Sequence, residues 1–331
     1  MNEQTLIQLV AGKSKRSKHQ KNKLNESDAE LIDINGELWA LTLDQFSPQE
    51  DLFTSNNPEI LGSNLATATL SDLYAAGAKP EFFLQGLTLP KNVDSIFVRK
   101  FSKGFQKTLS NANCFLCGGD IGTEEDWRYS GFAMGRVRGN RPLMRIFSRR
   151  SHSIWVTGQL GDANLAALEK KMTPKFELRH NEAKLIHENA SACMDTSGGL
   201  IDAIWWFHKL NPFLRFEIDL NNIPWAKGVI EASKYINVPP EAFLLGGAGE
   251  YELIFAIPEP ISKNALKAMT SIQVTKIGTA MPDNKPGVYF FNHKKNIILM
   301  KDNLPCPRKC ENNEIYINKV IKLAKKIFGE K

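Results

Sequence analysis

The residues with the strongest chemical demand in this chain are aspartates placed where a structural carboxylate would be costly. Asp72 is the first. Read at about 100° per residue, a helix beginning near Pro58 puts Leu61, Leu65, Ala68, Asp72 and Ala76 in one narrow stripe. A carboxylate on an apolar stripe must be protonated, paired with a base or bound to a cation, unless it sits at the edge and reaches water or a backbone N–H. No Lys or Arg lies within a turn of Asp72, so a local ion pair is ruled out. Asp28 and Asp44 flank a predicted hairpin, residues 29–34 and 38–43 around Asn35-Gly36, a strong two-residue turn signal. The outer ends of a hairpin converge, so these carboxylates would repel unless they share a cation. Asp120 follows Cys117-Gly118-Gly119, where glycines admit a close backbone approach to a ligand, although Gly-Gly-Asp is also an ordinary turn. Asp195 ends a predicted buried strand (191–194) before Thr196-Ser197-Gly198-Gly199 and a helix over 200–210. That arrangement sets the Ser197 hydroxyl and free N–H groups at a helix start, either as an anion site or as a plain cap. Magnesium takes one or two carboxylates plus waters and phosphate oxygens. Several aspartates at element ends could therefore hold several ions around a nucleoside triphosphate.

The elements that must position these residues alternate between strand and helix. Pro58 suits the first turn of its helix and Gly77 the left-handed position that ends it. The pattern predicts a strand over 82–89, a helix over 93–110 with its apolar positions in the core, a strand at 114–116 opening into the Gly-Gly-Asp turn, and a strand over 130–137. From Ile154 the pattern restarts: a strand, a helix over 162–170 capped by Asp162, the Asp195 strand and helix, then a glycine-rich loop over 244–250 leading into another strand. This organisation predicts an N-terminal domain over 1–148, with 1–26 a flexible basic segment, a C-terminal α/β domain over 149–304, and a tail over 305–331 carrying an amphipathic helix.

With 331 residues, 42% hydrophobic and 24% charged, the chain has ordinary globular composition and room for two cores. No apolar run approaches a membrane span or a signal-peptide core, so a cytoplasmic protein without a membrane partner is expected. The net charge of +6 is matched by six basic residues between Lys13 and Lys23, which reads as a solvated segment and not as a nucleic-acid surface. Gly12-Lys13-Ser14 is no phosphate loop, because Ile7 stands where the first glycine belongs and no strand precedes it. Five cysteines without an export signal argue for reduced thiols. The pairs Cys114/Cys117 and Cys306/Cys310 have zinc-like spacing, but residues three apart on a strand point to opposite faces, so free thiols are expected.

Taken in order, TLSDLYAAGAKP with LTLP, CGGD, SIWVTGQLGD, CMDTSGGLIDA, GGAGEYELIF and IGTA resemble the thiamine-monophosphate kinase branch of the aminoimidazole-ribotide-synthetase-like superfamily, over residues 28–280. The resemblance implies a two-domain mixed α/β (α+β) fold whose N-terminal domain forms a barrel across a homodimer interface. It implies transfer of the ATP γ-phosphoryl group to thiamine monophosphate, with Mg2+ on Asp28, Asp44, Asp72, Asp120 and Asp195. It assigns ATP contacts to Gly119, Asp120, Arg145 and Ser197, catalytic roles to Asp72, Asp120 and Arg145, and acceptor contacts to Asp51, Gly249 and Glu250. Several positions depart from the family pattern: Ser27 and Gly198 replace metal-ligating Asp residues, Leu43 and Gln45 replace small hydroxyl residues beside Asp44, Asp51 replaces a substrate-contacting His, and Gly249-Glu250 replaces Glu-Asp. The alternatives are a weakened, nucleotide-binding paralogue and another ATP-dependent branch. LPCPRKC resembles the end of hydrogenase maturation proteins, and a ring-closing ligase shares the scaffold. A selenophosphate synthetase fits poorly, since no Cys precedes Cys114.

Overall fold

In the computed structural model, which describes residues 3–51, 54–292, 297–300, 304–305 and 309–329, helix α1 (Glu3–Ala11) precedes the hairpin β1 (Glu30–Ile34) and β2 (Glu37–Phe46). Asn35 and Gly36, at φ 54° and 85°, take the left-handed conformation that a two-residue hairpin turn requires. Helix α2 (Pro58–Ala75), β3 (Ala78–Leu89), α3 (Ser95–Ala112), β4 (Phe115–Thr123) and β5 (Arg128–Val137) follow, giving an open five-stranded sheet in the order β1-β2-β5-β3-β4. The second half comprises β6 (His152–Thr157), α4 (Asp162–Glu169), α5 (His180–Asn189), β7 (Ala192–Asp195), α6 (Leu200–Leu210), β8 (Leu214–Asp219), α7 (Val229–Tyr235), α8 (Ala242–Leu245), β9 (Leu253–Pro258), α9 (Lys263–Thr270), β10 (Val274–Pro282), β11 (Gly287–Phe291) and β12 (Ile297–Met300). Its strands form a seven-stranded sheet in the order β12-β11-β8-β10-β6-β9-β7, and α10 (Asn313–Phe328) closes the chain. Among the described residues no helix is long and apolar enough to cross a membrane.

Helix α2 begins and ends as its sequence dictates. The Asn57 side chain accepts the Ile60 N–H, Pro58 sits in the first turn, and Gly77 follows the C-cap at φ 77°. Its middle differs from the expected single stripe, since fourteen of its eighteen residues are buried. The helix packs on β2, β3 and β5, is crossed by α3, and reaches β7 of the other sheet. One apolar core accordingly runs from Leu73, Phe83 and Phe105 to Cys193 and Phe255. A helix used on every side needs small residues, which is why Ala, Ser, Thr and Gly dominate α2.

Three expectations are corrected. Cys117-Gly118-Gly119-Asp120 is not a turn but the continuation of β4, paired in parallel with β3 from Phe82–Phe115 to Leu89–Thr123. Glycine allows this pairing: a Cβ on Gly119 would stand 1.9 Å from the Gln85 carbonyl oxygen. The lysine-rich segment is held along β1, where Lys21 N–H donates to Leu31 O, Asp33 N–H donates to His19 O, and Arg16 pairs with Glu30. Asp162 lies in the first turn of α4, whose N-cap is Gly161. Cys114 is buried and Cys117 exposed, as opposite strand faces require, and both are free thiols; Cys306 lies outside the described residues.

Helices α2 and α3 touch backbone to backbone: a Cβ on Gly104 would fall 1.8 Å from the Glu59 carbonyl oxygen, and one on Gly62 would fall 2.1 Å from that of Phe101. Gly104→Val is expected to lower stability in urea denaturation by about 1–3 kcal/mol. An unchanged midpoint would mean that the helices do not cross there.

Candidate functional site

Asp28 lies just before β1, Asp72 in the last turn of α2, and Asp195 at the end of β7. Oxygens of the three carboxylates lie within 4.8 Å of one another. Each is brought by a different element: the hairpin turns Asp28 back towards β2, the buried helix presents Asp72, and β7, paired with β9 through Asp195 and Leu253, supplies the third. Asp44 on β2 adjoins the group, raising the Asp72 pKa through its own charge.

The cluster is short of positive charge. Burial lifts Asp28 to about 6, the nearby Arg145 opposing and Asp195 reinforcing it. Burial and then the charge of Asp195 lift Asp44 to about 7, against a hydrogen bond from Thr69. Burial, followed by Asp44, Asp195 and Asp28, holds Asp72 well above the ordinary carboxylate range. Among the described residues the one base in contact is Arg145, which forms an ion pair with Asp28 and lies over the Trp206 ring, 5.6 Å from its centroid. Hydroxyls complete the shell: Thr42 donates to Asp72, Ser71 to Asp195 Oδ2, and Ser197 to Asp195 Oδ1 through both Oγ–H (2.7 Å) and N–H (3.1 Å). Asp28 Oδ2 is buried with no hydrogen-bond partner among the described residues. Clustered hard oxygen donors, one of them orphaned, fit a divalent cation such as magnesium.

Two proposed residues lie elsewhere. Gly119 and Asp120 sit on the exposed edge strand β4, with Asp120 in register with Gly86 and Ile121 beside it 79% exposed. Within a single chain the structure therefore gathers Asp28, Asp44, Asp72, Asp195, Arg145 and Ser197, and leaves Gly119 and Asp120 apart.

Ser197 also lines a cavity of about 370 Å3 between the two halves of the chain, together with Asp51, Phe243, Gly249, Tyr251 and Tyr316. Burial raises the pKa of Asp51, whose Oδ2 has no hydrogen-bond partner among the described residues. Gly249 is needed where it stands, because a Cβ there would meet the Thr196 carbonyl oxygen at 1.8 Å. Helix α10 docks as expected for an amphipathic tail and forms one wall, its Tyr316 hydroxyl accepting the Gly247 N–H at 2.7 Å. Glu250 does not line the cavity: it is buried, accepts the Gly161 N–H at 2.8 Å, and is pushed up to about 8 by burial and Asp162.

Sequence reasoning missed Thr42 on β2 and Thr69 and Ser71 on α2, although hydroxyl residues inside a long helix are a readable sign of polar duty. It also missed the buried pair in which Arg179 Nε donates to Glu252 Oε2 at 2.6 Å, and Tyr251, which lines the cavity with a left-handed backbone. Nothing local marks a pair 73 residues apart.

The raised carboxylates make the cation-free protein sensitive to pH. A group whose folded pKa exceeds its unfolded value near 4 stabilises the fold at low pH and loses that contribution as pH rises through the folded value. In magnesium-free buffer, Asp44→Asn is therefore expected to gain thermal stability over the parent as pH rises from about 5 to about 8. Added Mg2+ should raise the parent's Tm more at the upper end of that range. A pH-independent difference in Tm would contradict the geometry.

Residues 26–137 match the family model described as AIR synthase related protein, N-terminal domain. The chain is 29% identical over 310 residues to the thiamine-monophosphate kinase of Buchnera aphidicola subsp. Schizaphis graminum, covering 86% of this chain and 93% of the relative. It is 28% identical over 245 residues to the thiamine-monophosphate kinase of Pyrococcus horikoshii, covering 70% and 76%. Among solved structures, AaThiL complexed with AMPPCP and TMP superposes with a TM-score of 0.73 at 23% identity, covering 87% of this chain and 93% of that one. The HypE–HypF complex gives 0.74 at 16% identity, covering 90% and 99%. The fold is shared by proteins of different names, and the two sequence relatives given are both thiamine-monophosphate kinases. Residues 26–137 thus resemble an AIR-synthase-related N-terminal domain, and the chain is similar to thiamine-monophosphate kinases over most of its length.

Proposed function

We propose that the chain is an ATP-dependent kinase that transfers the γ-phosphoryl group of ATP to the phosphate of thiamine monophosphate, giving thiamine diphosphate and ADP. The observation that carries this reading is Ser197, which hydrogen-bonds Asp195 in the carboxylate cluster and also lines the largely apolar cavity. A triphosphate at the cluster and a ring in the cavity would meet at that residue. The bond from the γ-phosphorus to the ADP oxygen breaks as one to an acceptor phosphate oxygen forms. The acceptor is already anionic near neutral pH, so no residue need remove a proton. Magnesium on Asp28, Asp44, Asp72 and Asp195 would offset the charge that accumulates on the phosphates. Arg145, Ser197 and the Ser197 N–H would orient phosphate oxygens, and Asp51 and Gly249 would shape the acceptor end. In this reading residues 1–148, 149–304 and 305–331 act as nucleotide-binding, C-terminal and capping units.

The exposed apolar residues Phe115, Leu116 and Ile121 on β4, with Phe82 and Leu84 on β3, support a homodimer in which a second copy covers that edge. Gly119 and Asp120 would join the nucleotide site in that assembly, and the open sheet would become part of a barrel. The weakened-paralogue reading draws on Ser27 and Gly198. Against it, a Cβ on Gly198 would stand 2.6 Å from Asp202 Oδ2, so a carboxylate from the first turn of α6 already borders the space that a larger residue at 198 would fill.

Incubation with Mg-ATP and thiamine monophosphate is expected to yield thiamine diphosphate, and Asp72→Asn to lower turnover by about 10²–10³-fold or more with the fold retained. Saturable ATP binding without turnover in the parent would replace the kinase reading with the paralogue, and near-normal turnover in the variant would remove Asp72 from the metal site.

A further inference from the structure

Tyr251 stands out from its neighbours on three independent grounds. Its φ of 56° places a bulky non-glycine residue in the left-handed region, a conformation that is uncommon and held only where the surroundings impose it. The surroundings here are firm. Next to it Glu252 is locked by Arg179 and Thr157, Glu252 N–H donates to Thr196 Oγ1 at 3.0 Å, and Thr196 N–H donates to Glu252 O at 2.8 Å. The ring of Tyr251 packs against Phe176 with centroids 4.8 Å apart. The register of β7 with β9, carried one step past Asp195–Leu253 by the Thr196–Glu252 bonds, sets Tyr251 across from Ser197. Both residues line the cavity. The third ground is the hydroxyl itself, which hydrogen-bonds none of the described residues, while the neighbouring Ser197, Thr196 and Glu250 side chains are all engaged.

We propose that Tyr251 is a substrate-contacting residue whose hydroxyl donates a hydrogen bond to the phosphate of the acceptor, fixing that phosphate between the carboxylate cluster and the apolar cavity. The inference builds on the phosphoryl-transfer reading but not on the identity of the acceptor's ring. Its chemistry follows from the location. An acceptor phosphate entering a site lined with carboxylates needs donors that carry no negative charge themselves, and a tyrosine held protonated is such a donor. Burial, with the charges of Asp44, Asp195 and Asp72, keeps this hydroxyl protonated well beyond its usual range. Just before β9, between the buried Glu250 and Glu252, Tyr251 reaches the cavity from a left-handed backbone.

Tyr251→Phe removes the hydroxyl and keeps the ring contact with Phe176. With Mg2+ and AMPPCP present to occupy the triphosphate site, inorganic phosphate is titrated into parent and variant by calorimetry, and AMPPCP affinity is measured separately. The expected result is phosphate affinity about tenfold weaker in the variant with AMPPCP affinity unchanged, and partial recovery in Tyr251→His, which restores a donor. Equal phosphate affinity in parent and Tyr251→Phe overturns the proposal. So does a parallel loss of nucleotide affinity, the mark of a packing role, or a parent that binds no phosphate. A parent that binds phosphate through Tyr251 yet leaves thiamine monophosphate untouched refutes the acceptor assigned above and supports the role of Tyr251.

Discussion

Four carboxylates share one buried region with, among the described residues, one guanidinium in contact, and their mutual repulsion is the constraint around which the structure is arranged. Unpaired buried charges of one sign cost several kcal/mol each, so a chain that folds with them must protonate them, surround them with donors or supply a cation. The site uses the second device in part, through Thr42, Thr69, Ser71 and Ser197, and the first shows in the raised values of Asp28, Asp44 and Asp72. Neither device uses up the acceptor capacity of these oxygens, as the orphaned Asp28 Oδ2 attests. What remains is unrelieved repulsion, which a divalent cation would offset.

Holding the carboxylates in place against that repulsion falls to α2 and the sheets on either side of it. A helix buried on nearly all faces cannot tilt to move Asp72 away from Asp195 without breaking packing on β5, α3 and β7 together. Gly62 and Gly104 bring α3 into backbone contact and so fix the rotation of α2 about its axis. The same rotation aims Ser71 at Asp195 and Thr69 at Tyr129, 3.2 Å away, so the polar shell depends on the apolar packing behind it.

Much of this was legible in the chain, and the parts that were not share a physical reason. The hairpin could be placed from Asn35-Gly36, and with it the convergence of Asp28 and Asp44, because turn chemistry is local. The ends of α2 were fixed by Asn57, Pro58 and Gly77 for the same reason. Periodicity gave only one buried stripe on α2, since the second sheet that buries its other faces is distant in sequence. The Gly118-Gly119 pair reads locally as a turn, and only pairing with β3 makes it a strand. Arg145 compensates Asp28 across 117 residues, which a search within one helical turn of Asp72 does not reach.

The departures from the family pattern divide along the same line between cluster and cavity. At the cluster, Ser27 and Gly198 stand near the four gathered aspartates, and hydroxyls reach the carboxylates from Thr42, Thr69 and Ser71. At the cavity, a carboxylate stands at Asp51, glycine lies against the Thr196–Ser197 backbone at Gly249, and α10 supplies Tyr316 as a latch on the glycine-rich loop. Charge geometry around a triphosphate tolerates little change, because moving one carboxylate alters the field at every bound ion. An apolar wall tolerates substitution wherever volume is conserved. The position of each carboxylate is therefore held more tightly than the composition of the apolar wall beside it.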